Sequence, residues 1–279
     1  MRCDTDLHTH STASDGSLSP ADLVRLAADA QVQRLALTDH DTLAGLDAAR
    51  RTAETLGIEL VDGVEISTSW QRREIHVVGL WVRPEDPGLR EALACQQRRR
   101  DERAERIGRR LEAKGMPGAW DGARQEAGDG PITRPHFARW LVARGHAPDL
   151  PTAFRKWLAD GKTGHVSVDW PAIAAAVDWI RAAGGIAVLA HPLKYRLTAT
   201  RLRQLVHDFA AVGGGALEIP VNERDPGRVS VCARLARESG LRASLGSDFH
   251  QPQRWRPTPG MLPELPPDLT PVWSPVPTT

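Results

Sequence analysis

The sequence predicts an α/β fold built on parallel strands, with a helical insertion in its middle. Three observations support this prediction. Short apolar runs alternate with amphipathic stretches in both halves of the 279-residue chain, the alternation stops over residues 98–168, and histidines or acids follow most of the apolar runs. We therefore expect residues 1–97 and 169–279 to form a β/α barrel or an open sheet, and residues 98–168 to form a mostly helical insertion domain that contributes to substrate binding.

The first half of the chain begins the alternation. Ser19 and Pro20 start a predicted helix, SPADLVRLAADAQ, whose leucines and alanines recur at helical spacing. The run RLAL precedes a second predicted helix, TLAGLDAARRTAETLG. Two predicted strands, IELVDGVEIS and EIHVVGLWV, follow it.

The same alternation returns after residue 168. Three predicted helices, PAIAAAVDWIRAAGG, TATRLRQLVHDFAAVGG and PGRVSVCARLARESG, precede the strands IAVLAHP, ALEIP and LRASLGSDFH, respectively. Each helix ends in glycine before an apolar run, which is typical of a helix-to-strand junction. The proline-rich tail, RPTPGMLPELPPDLTPVWSPVPTT, is expected to lie extended along the surface or to fray.

The predicted insertion begins with an arginine-rich stretch, QQRRRDERAERIGRRLEAKGM. We favour a solvated helix face with i, i+4 ion pairs for this stretch. An electrostatic track for RNA is the alternative. Further along, ITRPHFARWLVARG and LPTAFRKWLADG predict two more helices.

Charge and cysteine content limit the class of protein. Lysine and arginine number 36 against 35 acids, so the net charge argues neither for nor against binding of nucleic acid. Three cysteines without CxxC spacing fit reduced thiols better than a disulfide framework. No apolar run reaches the roughly 18 residues of a membrane span. We therefore expect a cytoplasmic protein that needs neither a membrane nor an obligate protein partner.

Histidines and carboxylates stand at the ends of the predicted strands. His8 and His10 are two residues apart after the first strand, as are Asp248 and His250 after the last, so each pair projects to one face of an extended chain. Because the C-terminal ends of parallel strands share one edge of a sheet, we expect candidates from different strands to converge. The candidate metal ligands are His8, His10, Asp15, His40, Glu65, His76, His191, Asp248 and His250.

The residue types of this set indicate which metals it can bind. Six imidazoles and three carboxylates, without a thiolate, suit Zn²⁺, Mn²⁺ or Fe²⁺ better than Mg²⁺ or Ca²⁺. Nine ligands exceed what one ion can use, so we expect two or three ions, with Glu65 and Asp248 bridging them. Asp39 and Asp41 flank His40 and are expected either to orient it or to cap the following helix.

Six segments together resemble one enzyme family. DLHTHSTASDG, TDHDT, GVEIS, IHVVG, AHP and GSDFH, in this order, resemble the polymerase and histidinol phosphatase (PHP) superfamily of metal-dependent phosphoesterases, and each ligand position of that family's trinuclear site has a matching residue here. The resemblance implies a distorted seven-stranded β/α barrel with divalent ions, Mn²⁺ being our first choice and Zn²⁺ or Fe²⁺ the alternatives. TRPHFARWLV, FRKWLADGKTGHV and AHPLKYRL resemble the branch that acts on nucleoside 3′,5′-bisphosphates and the 5′ ends of short RNA.

The resemblance implies a metal-dependent phosphohydrolase. We expect it to remove the 3′-phosphate from nucleoside 3′,5′-bisphosphates, such as pAp, and to trim short 5′-phosphorylated RNA from 5′ to 3′ with the same site. A metal-bound hydroxide beside Glu65 and Asp248 is expected to attack phosphorus. Arg134, Lys162 and Lys194 are the candidate cations for binding substrate phosphates.

Two other functions stay open at this point. A phosphatase of a small metabolite, such as histidinol phosphate, would use the same metals but would not need the cations of the insertion. A regulatory or nucleic-acid-binding module with a structural metal cluster would bind RNA tightly without turning it over.

Overall fold

Seven strands form one curled sheet. Their order across the sheet is the same as their order along the chain. The computed structural model describes residues 3–128, 130–220, 223, 225–252 and 258–275. The strands are β1 Thr5–Asp6, β2 Arg34–Leu37, β3 Glu59–Trp70, β4 Arg73–Leu80, β5 Ile186–Leu189, β6 Ala216–Glu218 and β7 Arg242–Ser244.

One strand, β4, runs against the others. It pairs antiparallel with both β3 and β5, whereas the remaining pairs are parallel. The parallel array expected from the sequence therefore has one antiparallel member. The physical reason is the two-residue turn of Gln71 and Arg72, both at positive φ, because such a short connection can join only antiparallel strands. Consequently the beginning of β4, with His76, lies at the edge where the parallel strands end.

The first and last strands close the sheet on itself. The amide of Leu7 donates to the carbonyl of Leu245 at 3.1 Å, and the amide of Asp248 donates to the carbonyl of His8 at 2.8 Å. The carboxylate of Asp6 accepts a further bond, of 2.9 Å, from the amide of Ser247. These contacts form a seam between β1 and β7, and the predicted distorted seven-stranded barrel is confirmed.

Helices cover the outside of the barrel and build the insertion. The first begins as predicted, because the hydroxyl of Ser19 accepts from the amide of Asp22 and Pro20 occupies the first turn. None of the described helices is long and apolar enough to span a lipid bilayer. The helices are α1 Pro20–Asp29, α2 Leu46–Leu56, α3 Pro87–Glu112, α4 Ala119–Ala127, α5 Arg134–Ala143, α6 Leu150–Ala153, which continues as a π-helical turn over Phe154–Leu158, α7 Ile173–Ala182, α8 Ala199–Ala211 and α9 Pro226–Glu238.

The long helix α3 belongs to two hydrophobic cores. Leu89 and Leu93, near its start, pack with the barrel core. Ile107 and Leu111, near its end, pack in a separate cluster within residues 104–166. The predicted boundary at residue 98 therefore falls inside a continuous helix, and the division into a barrel and an insertion domain stays a prediction.

The proline-rich tail follows β7 as far as it is described. The amide of Ala243 donates to the carbonyl of Thr270 at 2.9 Å, and the amide of Val272 donates back to the carbonyl of Ala243 at 2.7 Å. Leu262 and Leu269 are buried. The described part of the tail therefore pairs with β7 and, instead of lying only on the surface or fraying, adds leucines to the core.

Candidate metal centre

The structure brings the nine candidate ligands together at one end of the barrel. His8 and His10 follow β1, His40 follows β2, Glu65 lies in β3 and His76 in β4. His191 follows β5, and Asp248 and His250 follow β7. Asp15 lies in the loop after β1, and its carboxylate reaches His250 Nε2 at 3.3 Å. Residues from both ends of the chain therefore share one site.

Glu65 is the centre of this group. Its side chain is fully buried, and both of its oxygens face imidazole nitrogens. A carboxylate in this position can bind more than one cation. The contacts are Oε2 to His40 Nδ1 at 3.0 Å, to His10 Nε2 at 3.2 Å and to His8 Nε2 at 3.3 Å, and Oε1 to His191 Nε2 at 2.9 Å and to His76 Nδ1 at 3.0 Å.

Eight of the nine candidate ligands fall into three overlapping groups, in each of which the potential ligand atoms lie within 4.8 Å of one another. His191 belongs to none of these groups, although its Nε2 lies 2.9 Å from Glu65. Because residues are shared between the groups, the arrangement fits a polynuclear centre rather than separate mononuclear sites. Asp248 joins the second group, with Oδ1 at 3.2 Å from His10 Nε2. The groups are His10, Asp15, His40 and His250; His8, His10, Glu65 and Asp248; and His40, Glu65 and His76.

The unsatisfied polar atoms of the site fit divalent cations. Among the described residues, His8 Nε2, both ring nitrogens of His10, His40 Nδ1 and Glu65 Oε2 are buried without a hydrogen-bond partner. A buried polar atom without a partner is costly, and a metal ion would satisfy several at once. The donor atoms are nitrogen and oxygen only, which suits Zn²⁺, Mn²⁺ or Fe²⁺.

The carboxylates make two of these histidines bind protons tightly. Burial disfavours a charged imidazole at His8, but Glu65 and Glu218 outweigh it and raise the pKa of His8 to about 10. Burial opposes charge on His76 too, and there Glu65 leads the effects that raise the pKa to about 9. Metal ligation needs neutral imidazole, so a cation must displace these protons, and metal affinity falls as the pH falls.

Glu218, at the end of β6, is a residue that the sequence analysis missed. Its Oε2 lies 2.7 Å from His8 Nδ1, so the other ring nitrogen of His8 points at Glu65 and Asp248. This is how a carboxylate fixes the orientation of a metal-binding histidine. The sequence signal is the segment ALEIP, in which an acid ends an apolar strand. The candidate ligands follow apolar strands in the same way.

The variant Glu218→Gln is expected to bind divalent metal about tenfold to a hundredfold more weakly, because the amide orients His8 less well and no longer increases its basicity. Competition with a chromophoric chelator measures the affinity. Glu54→Gln, at an exposed position of α2, is the control. Equal metal affinity in the Glu218 variant and the wild-type protein would show that His8 needs no such partner.

Asp39 and Asp41 have roles that the sequence analysis did not predict. Asp39 accepts hydrogen bonds from the amide and hydroxyl of Ser11, at 2.7 and 2.6 Å. Asp41 accepts from the amide of Ser67 at 2.8 Å. Among the described contacts, neither carboxylate orients His40, and the residue before α2 is Gly45. Both expectations were therefore wrong: these acids hold the loops after β1 and β2 in place.

The arginine-rich part of α3 is not simply a solvated face. Arg100 and Arg103 are buried, with 7% and 8% of their surfaces exposed. Arg100 Nε donates to Asp41 at 2.7 Å, and Arg103 donates to both oxygens of Glu74 at 3.0 and 3.3 Å. The favoured interpretation was wrong for these two residues, because acids on the barrel, rather than neighbours on the helix, pair with them.

The three candidate substrate-binding cations lie at different distances from the centre. Lys194 contacts the carboxylate of Asp248. Arg134, at the start of α5, reaches Glu74 Oε1 at 3.5 Å. Lys162 is exposed, and in the described part of the chain no contact joins it to a candidate metal ligand; its amide donates to the carbonyl of Ala159 at 3.0 Å.

A cavity of about 50 Å³ lies where the candidate ligands meet the predicted insertion. Asp15, His40 and His76 line it together with Arg103 and Arg134. A metal centre held by these ligands would therefore lie beside a cavity that also contains two guanidinium groups.

Comparison with known proteins gives a consistent result. The PHP domain family matches residues 6–113. The 5′-3′ exoribonuclease Rnm of Salmonella typhimurium is 48% identical over 252 residues, which cover 90% of this chain and 86% of the relative. The 3′,5′-nucleoside bisphosphate phosphatase of Chromobacterium violaceum is 43% identical over 270 residues, which cover 96% and 94%.

Solved structures agree with the sequence relatives. A Chromobacterium violaceum protein described as an amidohydrolase superposes with a TM-score of 0.91 at 42% identity, covering 97% of this chain and 95% of that one. A Bifidobacterium adolescentis protein described as a metal-dependent phosphoesterase superposes with a TM-score of 0.81 at 26% identity, covering 96% and 92%.

Proposed function

Since the chain belongs to the PHP family and is a metal-dependent phosphoesterase, we propose that it removes the 3′-phosphate from nucleoside 3′,5′-bisphosphates and trims short 5′-phosphorylated RNA from the 5′ end. The resemblance seen in the sequence is confirmed. Relatives named for each of these two reactions match most of the chain. The observation that carries the proposal is the cavity lined both by candidate metal ligands and by Arg103 and Arg134.

The proposed cofactors are two or three divalent ions, Mn²⁺ first, with Zn²⁺ or Fe²⁺ as alternatives. When bound, such ions lower the pKa of water and stabilise negative charge on a phosphoryl group. Glu65 and Asp248 are assigned as the bridging residues, because each contacts at least two of the surrounding histidines. The imidazoles around them would hold such a centre in a buried position.

Two anionic subsites explain the proposed substrates. The scissile 3′-phosphate would lie over the metal centre, where Lys194, beside Asp248, adds positive charge. Arg103 and Arg134, which line the cavity, would bind the 5′-phosphate. Guanidinium groups suit this role because they bind phosphate through charge-assisted hydrogen bonds. Lys162 is a further proposed contact for the longer RNA substrates.

A larger cleft offers room for the rest of the substrate. It has a volume of about 780 Å³ and lies between the barrel loops and helices α3 to α5, within the usual size range of ligand sites. Gly16, next to the candidate ligand Asp15, forms part of its wall, as do Gln97 and Gln125. We assign the base and sugar, or the next nucleotides of an RNA, to this cleft.

The free cysteines indicate the cellular compartment in which the protein works. Cys3, Cys95 and Cys232 form no disulfide. Reduced cysteines are usual where glutathione and thioredoxin act. We therefore propose that the protein works in the cytoplasm.

The variant Arg134→Ala is expected to raise KM about tenfold to a hundredfold for substrates with a 5′-phosphate, since a charge-assisted hydrogen bond contributes roughly 1.5–3 kcal/mol. Hydrolysis of 3′-AMP, which lacks that phosphate, should change little. Steady-state kinetics on adenosine 3′,5′-bisphosphate and 3′-AMP measure the difference. Arg144→Ala, at the exposed opposite end of α5, is the control. Equal effects on both substrates would remove Arg134 from the 5′-phosphate site.

The test of the proposed function is phosphate release in the presence of Mn²⁺. Adenosine 3′,5′-bisphosphate, 3′-AMP, 5′-AMP and histidinol phosphate are compared, together with product analysis on a 5′-phosphorylated RNA oligomer. We expect the bisphosphate and the oligomer to be preferred over 3′-AMP, and a chelator to abolish turnover. Preference for histidinol phosphate would overturn the substrate assignment, and RNA binding without turnover would overturn the enzymatic one.

A further inference from the structure

Glu74 connects the candidate metal centre with the cations of the insertion. It lies two residues before His76 in β4, so both side chains point to the same face of the sheet. Its Oε1 is 3.4 Å from His76 Nε2, 3.3 Å from Arg103 and 3.5 Å from Arg134. Its Oε2 is 3.0 Å from Arg103. One carboxylate is therefore shared by a candidate ligand and by both arginines.

On the metal side, Glu74 lies behind His76. The Nδ1 atom of His76 faces Glu65, at 3.0 Å, whereas Nε2 faces Glu74. If His76 binds a cation on the Glu65 side, the N–H of the other ring nitrogen donates a hydrogen bond to Glu74. A carboxylate in that position fixes the ring and makes it a better ligand.

On the insertion side, Glu74 occupies the groups that would bind a phosphate. Its carboxylate lies within 3.5 Å of both guanidinium groups, so it forms an ion pair with them at neutral pH. An anion that approaches Arg103 and Arg134 meets one negative charge already bound to two positive charges.

We propose that Glu74 acts in opposite directions on the two sites: it strengthens metal binding through His76 and weakens binding of the distal phosphate by competing for Arg103 and Arg134. This inference rests on the proposed function for the identity of the phosphate. The product of bisphosphate hydrolysis, a nucleoside 5′-phosphate, keeps its 5′-phosphate. A permanent competitor at the arginines keeps that product from being held tightly, so Glu74 favours product release.

The test is the variant Glu74→Gln in the full-length, metal-loaded protein. Two affinities are measured: that for Mn²⁺, by competition with a chromophoric chelator, and that for 5′-AMP, by calorimetry at saturating Mn²⁺. We expect Mn²⁺ to bind about tenfold to a hundredfold more weakly and 5′-AMP to bind about tenfold more tightly. The affinity for 3′-AMP should not rise, because its phosphate does not reach the arginines.

Two further variants separate the parts of the proposal. Glu74→Asp keeps the charge but shortens the side chain, so metal binding should weaken while 5′-AMP gains no affinity. Glu238→Gln is the matched control, because Glu238 also lies between two arginines, at 3.8 and 3.9 Å, at the opposite end of the barrel. It should change neither affinity.

The outcomes distinguish this inference from the proposed function. If 5′-AMP binds the Glu74→Gln variant equally or more weakly, Glu74 does not compete with phosphate and the proposal is overturned. Unchanged Mn²⁺ affinity would overturn its metal half. A general loss of structure would weaken both affinities, which is not the expected pattern. Failure of the wild-type protein to hydrolyse the bisphosphate would refute the proposed function, and the two affinity changes would still decide the role of Glu74.

Discussion

The variant Glu65→Gln is expected to release phosphate at least about a thousandfold more slowly than the wild-type protein, since each charge-stabilising group of an active site contributes about a hundredfold to a thousandfold and Glu65 supports several. Its two oxygens contact five histidines. Glutamine has the same size but only one acceptor oxygen and no charge, so it cannot bridge cations. The metal content of the purified variant, measured by mass spectrometry, should fall in parallel.

Glu59→Gln provides the control for this substitution. Glu59 lies at the other end of β3, where it pairs with Arg34 at 2.6 Å. The same change of charge there should leave turnover and metal content near wild-type values. Thermal unfolding of both variants shows whether the fold is kept. A Glu65→Gln protein with normal metal content and normal turnover would refute the central role of this carboxylate.

The variant Gly246→Ala is expected to lose both stability and metal affinity. A Cβ atom added at Gly246 would lie 2.1 Å from the Cβ of His8 and 2.8 Å from its backbone nitrogen. Both atoms belong to His8, which is part of the seam between β1 and β7, so they cannot move without displacing that seam. Overpacking of this kind costs about 1–3 kcal/mol, and a displaced His8 no longer faces Glu65.

Urea unfolding measures the stability of the Gly246 variant, and chelator competition measures its metal affinity. The control is Gly88→Ala in the first turn of α3, where an added Cβ meets only Asp86, at 3.4 Å. That change should be neutral or slightly stabilising, because alanine favours helix. If Gly246→Ala had wild-type stability and metal affinity, the close packing of the seam against His8 would not matter for the site.

The candidate ligands could be predicted from the sequence because their spacing is local. His8 and His10, like Asp248 and His250, are two residues apart beside apolar runs, and that pattern alone places each pair on one face. Their convergence follows from the order of strands. By contrast, the direction of β4 depends on the turn at Gln71, where no glycine signals the positive φ.

The residues that the sequence analysis misread are those whose partners are distant in the chain. Arg100 and Arg103 lie among acids at helical spacing, which favoured a solvent-exposed face. Their actual partners, Asp41 and Glu74, are on barrel strands and loops. The packing of Leu89 and Leu93, near the start of the helix, decides which side of α3 faces the barrel. Periodicity alone does not reveal the charged groups that this face will meet.

Because the first and last strands close the barrel, the site is assembled late during synthesis. His8 touches Glu218, which is 210 residues further along the chain, and Asp248 follows later still. A ribosome adds about 5–20 residues per second, so the first histidines wait about 10 s or more for these partners. An incomplete nascent chain therefore lacks part of the site, which becomes complete only after synthesis has passed the last strand.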